Sequence, residues 1–202
     1  MPELPDIEAF RRNLAHKALR KPVRSTSVHD ERILDNLTPS GLGRRLKSKS
    51  FVKACRHGKV LFLRQSRGGG SLVLRFGMTG SVQVCPKGCD TPQYARAELR
   101  LSDGSRLAII SQRLLGHIAF TDDEQKFVEQ ADLGPDALNG DIAKSEFIKI
   151  FSESHATAKA TLMDQSRIAG IGNVYADEIL FQAGVRPDRK ADDLSKETAI
   201  YA

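Results

Sequence analysis

The stretch Leu99-Arg100-Leu101-Ser102-Asp103-Gly104-Ser105-Arg106-Leu107-Ala108-Ile109 sets two apolar-rich runs on either side of an Asp-Gly pair. Asp-Gly tolerates the left-handed dihedrals of a tight turn, so the pattern predicts a β-hairpin with arms at 94–101 and 106–111. Moving outward, further short β-like runs fall at about 22–29, 44–54, 59–65, 71–76, 80–84 and 117–121, separated by turn signals such as Gly68-Gly69-Gly70. Eight strands at this spacing predict an antiparallel sandwich or barrel. Before them, Ile7, Phe10, Leu14 and Ala18 recur at helical spacing, with Pro5 in the first turn, which predicts a helix over 5–19. After them, 122–140 is polar, carries Leu133-Gly134-Pro135-Asp136, and reads as a linker. Helices are expected at 145–154, 159–165 and 174–183, the last stopped by Gly184 with Pro187 beyond. The fold class is therefore α+β: an N-terminal helix and an eight-stranded antiparallel β-sandwich over 1–121, a linker over 122–140, and a helical domain over 141–202.

The composition narrows the function. Among 202 residues there are 31 Lys+Arg against 25 Asp+Glu, a net charge of +6, and 40% are apolar. That is too apolar for a disordered tail, and no uncharged apolar stretch is long enough to span a bilayer. The basic residues crowd the first third, including Arg11, Arg12, Arg20, Lys21, Arg24, Arg44, Arg45, Lys47 and Lys49, while Asp122-Asp123-Glu124 comes later. The asymmetry favours a polyanion-binding face in the first half. The start, Met1-Pro2-Glu3-Leu4, has no basic segment followed by an apolar one, so no signal peptide is expected and the location is expected to be cytoplasmic. The three cysteines suit a reducing compartment. Cys85 and Cys89 are spaced C-x3-C without a second pair, and read either as reduced thiols or as half of a zinc site that His57 or His117 would complete.

Three local features bear on chemistry. Loss of Met1 would expose the Pro2 nitrogen, and an α-amino group has a pKa of about 7.7–8.0 against about 10.4 for lysine. It would be neutral far more often than a lysine at pH 7, able to attack a sugar aldehyde carbon and form an iminium. Glu3 beside it could donate a proton to an opening sugar ring, although a proline at position 2 is usually inert. Lys59, in Arg56-His57-Gly58-Lys59 at the start of an apolar strand, reads as a phosphate anchor, a general acid, or one more lysine on a basic face. Ala169-Gly170-Ile171-Gly172-Asn173-Val174-Tyr175-Ala176 opens a helix, where backbone amides and dipole can bind phosphate. Tyr175 and the helical segment before it exclude a dinucleotide fingerprint, leaving a phosphate-binding helical hairpin or a glycine turn that lets two helices pack.

Taken in order, these segments resemble the formamidopyrimidine-DNA glycosylase and endonuclease VIII family. The start resembles the family's, with Asp6 where Glu is usual. His57-Gly58-Lys59-Val60 is similar to the segment holding a catalytic lysine, and Phe76-Gly77-Met78-Thr79-Gly80 to the strand end that supplies a void-filling Met. Leu133-Gly134-Pro135-Asp136, Leu162-Met163-Asp164-Gln165 and the glycine turn through Pro187 resemble the helix–two-turn–helix element. The resemblance implies a base-excision-repair DNA glycosylase with AP-lyase activity on an oxidised base. Pro2 would be the Schiff-base nucleophile, Glu3 the acid for ring opening, and Lys59 a proton donor and phosphate contact. Met78, Arg113 and Leu115 would fill the hole left by a flipped base, and Tyr94 falls where a DNA-contacting His is often found. Lys159 and Asn173, with Gly170 and Gly172, would hold phosphates.

Departures accompany the likeness. Arg113-Leu114-Leu115-Gly116 stands for an Arg-Arg-Phe-Gly run, and Arg75 for a His. The sequence ends at Ala202, before the zinc finger that the family typically carries, so a shortened helical domain is expected. The expected partner is damaged double-stranded DNA, met by a monomer with no metal and no small-molecule cofactor. The alternative is a binder of damaged or abasic DNA, or of structured RNA, without turnover.

Overall fold

The structure, a computed structural model, describes residues 2–140 and 142–194. It divides into two compact units, Met1–Phe127 and Val128–Ala202. In the first, α1 (Leu4–Lys17) leads into β1 (Val23–Val28), α2 (Pro39–Leu46), β2 (Phe51–His57), β3 (Val60–Gln65), β4 (Ser71–Arg75), β5 (Gly80–Cys85), β6 (Ala95–Leu101), β7 (Arg106–Ser111) and β8 (His117–Thr121). A further helix, α3 (Glu124–Gln130), spans the division. The second unit holds α4 (Lys144–Ser152), α5 (Ala158–Met163) and α6 (Asn173–Gln182).

The strands form two four-stranded antiparallel sheets, ordered β1-β6-β7-β5 and β2-β3-β4-β8. The expected sandwich is therefore present. Its central hairpin closes at Gly104, whose φ of 87° no β-carbon would favour, with the Leu101 N–H donating to Ser105 O at 2.8 Å. Between the sheets lie Leu61, Leu63, Leu72 and Leu74 from one and Val82, Leu99, Leu107 and Ile109 from the other. Strand β3 is also apolar on its second face, because Phe62 meets the edge of Phe127 from α3 at 5.8 Å between ring centres. α1 joins the same core through Ile7 and Leu14, and Phe10 packs on Phe76 at 5.1 Å.

One strand expectation needs correction. The run 44–54 is not one strand: 44–46 end helix α2, and β2 begins at Phe51 and continues to His57. The glycines Gly41 and Gly43 hide this helix from a propensity reading. Its signal is at the start, where Pro39 follows Thr38 and the Thr38 hydroxyl accepts the Gly41 N–H at 3.1 Å. Leu42 and Leu46, one turn apart, then bury completely. The unit division falls after Phe127, inside the stretch read as a linker, and that stretch is ordered structure on both sides.

In the helical unit, Phe151, Ala158, Leu162, Ile168, Ala176 and Leu180 form a separate core. Leu133-Gly134-Pro135-Asp136 is built into it. The Gly134 N–H donates to Gln165 O at 2.9 Å, the Ala169 N–H to Pro135 O at 2.9 Å, and the Ala137 N–H to Ala169 O at 3.0 Å. Asp136 is fully buried, and its carboxylate accepts the N–H groups of Leu138 and Asn139 at 2.9 and 3.1 Å.

Candidate active site and nucleic-acid interface

The first cluster sits where α1 begins. Glu3 is the extended residue before the helix, and its N–H donates to the Asp6 carboxylate at 2.8 Å. The shorter Asp, where the resemblance suggested Glu, thus still closes this half of a capping box. Glu3 is 3% exposed and Pro2 half-buried. Across from them, His57 pairs with Val60 around a two-residue turn whose first member, Gly58, has φ 54°. A glycine in that position is what a tight hairpin of this hand requires. The turn leaves Lys59 at its tip, half-buried. Burial holds the Lys59 pKa below the ordinary lysine value, and the charge of Glu3 opposes that shift, so the two groups feel each other.

A second set of charges fixes this tip to α1. Arg56 donates to Gly58 O at 3.0 Å, and its Nε lies 3.7 Å from the Glu8 carboxylate. Glu8 also accepts from Arg11 at 2.7 and 2.8 Å and from Arg12 at 2.9 Å. Arg11, and then Arg12, pull the Glu8 pKa from 4.5 to about 2, against the opposing effect of burial. Sequence reading gave Glu8 no role and counted Arg56 only among the basic residues of the first third. Their signal was weak: an acidic residue one turn before two arginines looks like a solvated helix face.

The residues expected to fill a flipped-base void come together as a group. Gly77 approaches the 113–116 loop so closely that a β-carbon on it would lie 2.2 Å from Leu115 O. Arg113 reaches the Met78 sulfur at 3.7 Å, and its N–H donates to the Thr79 hydroxyl at 3.3 Å. Leu114 takes a left-handed φ of 53° and packs against the sandwich core, while Arg113, Leu115 and Met78 stay exposed. Leu115 is 43% and Met78 47% exposed. Tyr94, also exposed, accepts the Ser111 N–H through its carbonyl at 3.1 Å. Arg96 lies 5.8 Å from the Tyr94 ring centre and donates to Ser111 O and Gln112 O at 2.8 and 3.2 Å. Arg96 thus braces the end of β7 that leads to Arg113.

In the helical unit, Gln165 organises the turn between α5 and α6. Its amide donates to Met163 O and Ile171 O at 2.9 and 2.8 Å, and its oxygen accepts the Gly170 N–H at 3.0 Å. Gly170 has φ 117°, open only to glycine, and Gly172 precedes α6 without a side-chain cap. Asn173, Val174 and Tyr175 are exposed on the first turn of α6. Lys159 is paired with Asp177, at 2.7 Å to one carboxylate oxygen and 2.9 Å to the other. Gln165 and Asp177 lay in the resembling segment but were given no role of their own, because each function needs a partner that periodicity does not reveal.

Among the described residues no three His, Cys, Asp or Glu side chains converge as metal ligands, and no helix is long and apolar enough to cross a membrane.

Comparison with known proteins decides the family. A model of the formamidopyrimidine-DNA glycosylase N-terminal domain matches residues 1–118, and a model of the corresponding H2TH domain matches 133–201. The chain belongs to the formamidopyrimidine-DNA glycosylase family. It is 35% identical over 199 residues to a formamidopyrimidine-DNA glycosylase of Carboxydothermus hydrogenoformans, covering 98% of this chain and 72% of that protein. To the Arabidopsis thaliana protein of the same name it is 30% identical, covering 98% of this chain and 54% of that one. A solved Lactococcus lactis Fpg, in complex with DNA containing N7-benzyl-Fapy-dG, superposes with a TM-score of 0.91 at 22% identity, covering 99% of this chain and 74% of that chain. The same fold appears in a Lactococcus lactis Fpg bound to abasic-site DNA, at TM-score 0.91, 21% identity and 99% and 73% coverage. The family's two matched domains correspond to the β-sandwich and the helical segment seen here.

Proposed function

We propose that this chain excises an oxidised base from double-stranded DNA and then cleaves the abasic strand, through a Schiff base on the Pro2 nitrogen. The observation that carries the reading is the start of α1, where Pro2, a buried Glu3 and a burial-shifted Lys59 share one neighbourhood. Membership of a glycosylase family and relatives solved on lesion and abasic DNA support it.

The chemistry follows from those groups. With Met1 removed, the neutral Pro2 amine attacks C1′ of the damaged nucleoside, and Glu3 supplies a proton as the sugar ring opens. The base leaves with its bonding electrons and a proton, which the lowered pKa of Lys59 makes easier to deliver. The resulting iminium withdraws electrons, so the C2′ proton becomes acidic and the 3′ phosphate leaves by β-elimination. Met78, Arg113 and Leu115 occupy the stacking space of the extruded nucleotide, which offsets part of the few kcal/mol that flipping costs. Tyr94 contacts the DNA. Lys159, Asn173 and the backbone at Gly170 and Gly172 hold phosphates, adding affinity that is independent of sequence.

Borohydride reduction of the protein mixed with an abasic duplex tests this reading. A covalent adduct is expected, carried on the Pro2 nitrogen by peptide mapping and lost from that position in protein that retains Met1. Tight binding of the abasic duplex without any adduct would establish the non-catalytic binder instead.

A further inference from the structure

The family's chemistry leaves the C-x3-C pair unused. Cys85 ends β5, and the chain then folds back through Pro86-Lys87-Gly88-Cys89. The Cys89 N–H donates to Pro86 O at 3.3 Å, and Gly88 sits at φ 86°, the third-position glycine of a type II turn. The turn brings the two cysteines together: Cys85 and Cys89 share a small apolar cluster with Ala95 and Ala108. Both are free thiols.

Arg106, which pairs with Cys85 across the β5–β7 ladder, clamps this loop. Its guanidinium donates to the Cys89 carbonyl, to the Cys89 sulfur at 3.5 Å and to the Thr91 hydroxyl at 3.0 Å, and pairs with Glu98 at 3.1 Å. A zinc site is a poor fit, since the neighbour of the sulfurs is a cation. A half-buried sulfur beside a guanidinium, with a second cysteine in the same small cluster, is instead the arrangement of an oxidisable dithiol.

We propose that Cys85 and Cys89 form a modification site, a dithiol that a hydroperoxide oxidises to an intramolecular disulfide. Cys89, half-buried and held by Arg106, is the attacking sulfur. As a thiolate it takes the outer peroxide oxygen. The O–O bond breaks, and the departing oxygen picks up a proton and leaves as water or alcohol. Cys89 is then a sulfenic acid. The Cys85 sulfur attacks it, the S–O bond breaks, and hydroxide leaves with the Cys85 proton as water. The peroxide gains two electrons and the two thiols lose them. Burial, and then the neighbouring Cys89, push the Cys85 thiol pKa up, which suits a resolving sulfur that stays protonated until a sulfenic acid forms beside it. Cys55 lies on β2 in the other sheet. The linked loop runs on to Tyr94, so the modification falls beside a candidate DNA contact without depending on that role.

The test uses the whole chain carrying Cys55→Ala, reduced, treated with stoichiometric hydrogen peroxide and quenched with an alkylating agent. Expected is a monomer lighter by two hydrogens, unalkylated at both sites, with a Cys85–Cys89 link on peptide mapping that dithiothreitol reverses. In Cys85→Ser, which preserves the size of the buried side chain, Cys89 is expected to stop as a sulfenic acid that dimedone captures. Two alkylatable thiols after excess peroxide, a link between two chains, or a Cys85→Ser protein that captures no dimedone would each overturn the proposal.

Discussion

Lys59 in the β-unit and Lys159 in the helical unit stand in opposite settings. Lys59 is at the tip of a tight hairpin, and burial rather than a partner dominates its electrostatics. Lys159 is held by both oxygens of Asp177, a carboxylate that is itself 48% exposed. A buried ammonium costs free energy at neutral pH, and that cost is the source of its altered reactivity. A surface ion pair is worth little and is screened by salt, so it can be exchanged for a phosphate at small expense. The surroundings follow the same division. Around Lys59 the supports are charged groups with long reach, Glu8, Arg11 and Arg56, which weld α1 to the hairpin. Around the α5–α6 turn the support is one neutral amide, Gln165, satisfying backbone groups. Under the proposed function, one region serves proton transfer and the other presents backbone to a polyanion.

The sharpest way to break the comparison is Lys59→Met. It retains the aliphatic length and removes the ammonium. Base excision and abasic cleavage should fall by roughly 10²–10⁴-fold, the usual worth of a positioned proton-transfer group. Equilibrium binding of the abasic duplex should change by less than about tenfold. A parallel loss of binding and turnover would make Lys59 a phosphate grip like Lys159, and the contrast would collapse.

Gln165→Leu attacks the other region. It strands the Gly170 N–H and the carbonyls of Met163 and Ile171, two of which lie in buried backbone. Leaving such groups unsatisfied costs about 1–3 kcal/mol each at most. The helical unit should unfold at lower denaturant, and DNA affinity should drop at all sequences alike. Hydrogen exchange localises the effect: protection should be lost at 165–176 and kept in β3 and β4.

The two supports also differ in how much of them the sequence exposes. The Asp103-Gly104 hairpin, the strand alternation and the glycine turn are local, and local patterns are readable. Pro2, Glu3 and Lys59 stood out as candidates for the same reason, each belonging to a short motif. Helix α2 was missed because its glycines outweigh a Thr38-Pro39 start signal. Glu8 with Arg56, and Gln165 with residues on both sides of its turn, were missed for another reason. A charged or amide side chain in a polar stretch looks solvated until the fold brings its partner. Packing fixes these ties, and no spacing rule encodes them.

Acid separates the charged support from the neutral one. The Glu8 pKa is about 2 in the folded chain against 4.5 ordinarily, with Arg11 as the chief cause. Between those values the unfolded chain binds more protons than the folded one. Glu8 therefore contributes stability above pH 4.5 that is lost as the pH falls toward 2. Wild type should melt higher than Glu8→Gln at pH 7, and the gap should close across that window, more weakly in high salt. A gap that persists at pH 2 would mean that Glu8 acts through packing rather than charge.

The smallest effect belongs to Asp177→Asn, and it sharpens the comparison most finely. If Lys159 grips phosphate, Asp177 competes with the DNA for it and also repels the backbone. Removing that charge should tighten non-specific duplex binding by about two- to fivefold in dilute salt, in line with the ~0.2–1 kcal/mol of an exposed pair. The gain should shrink as salt rises, because both the competition and the grip are screened. Lys159→Ala should do the reverse and make the plot of log affinity against log salt shallower by about 0.9, one phosphate contact. In the double variant the Asn should confer almost nothing, since it acts only through the lysine. If Asp177→Asn weakens binding instead, the carboxylate is aiming the ammonium rather than withholding it, and the surface pair is then as much a positioning device as the buried charges around Lys59.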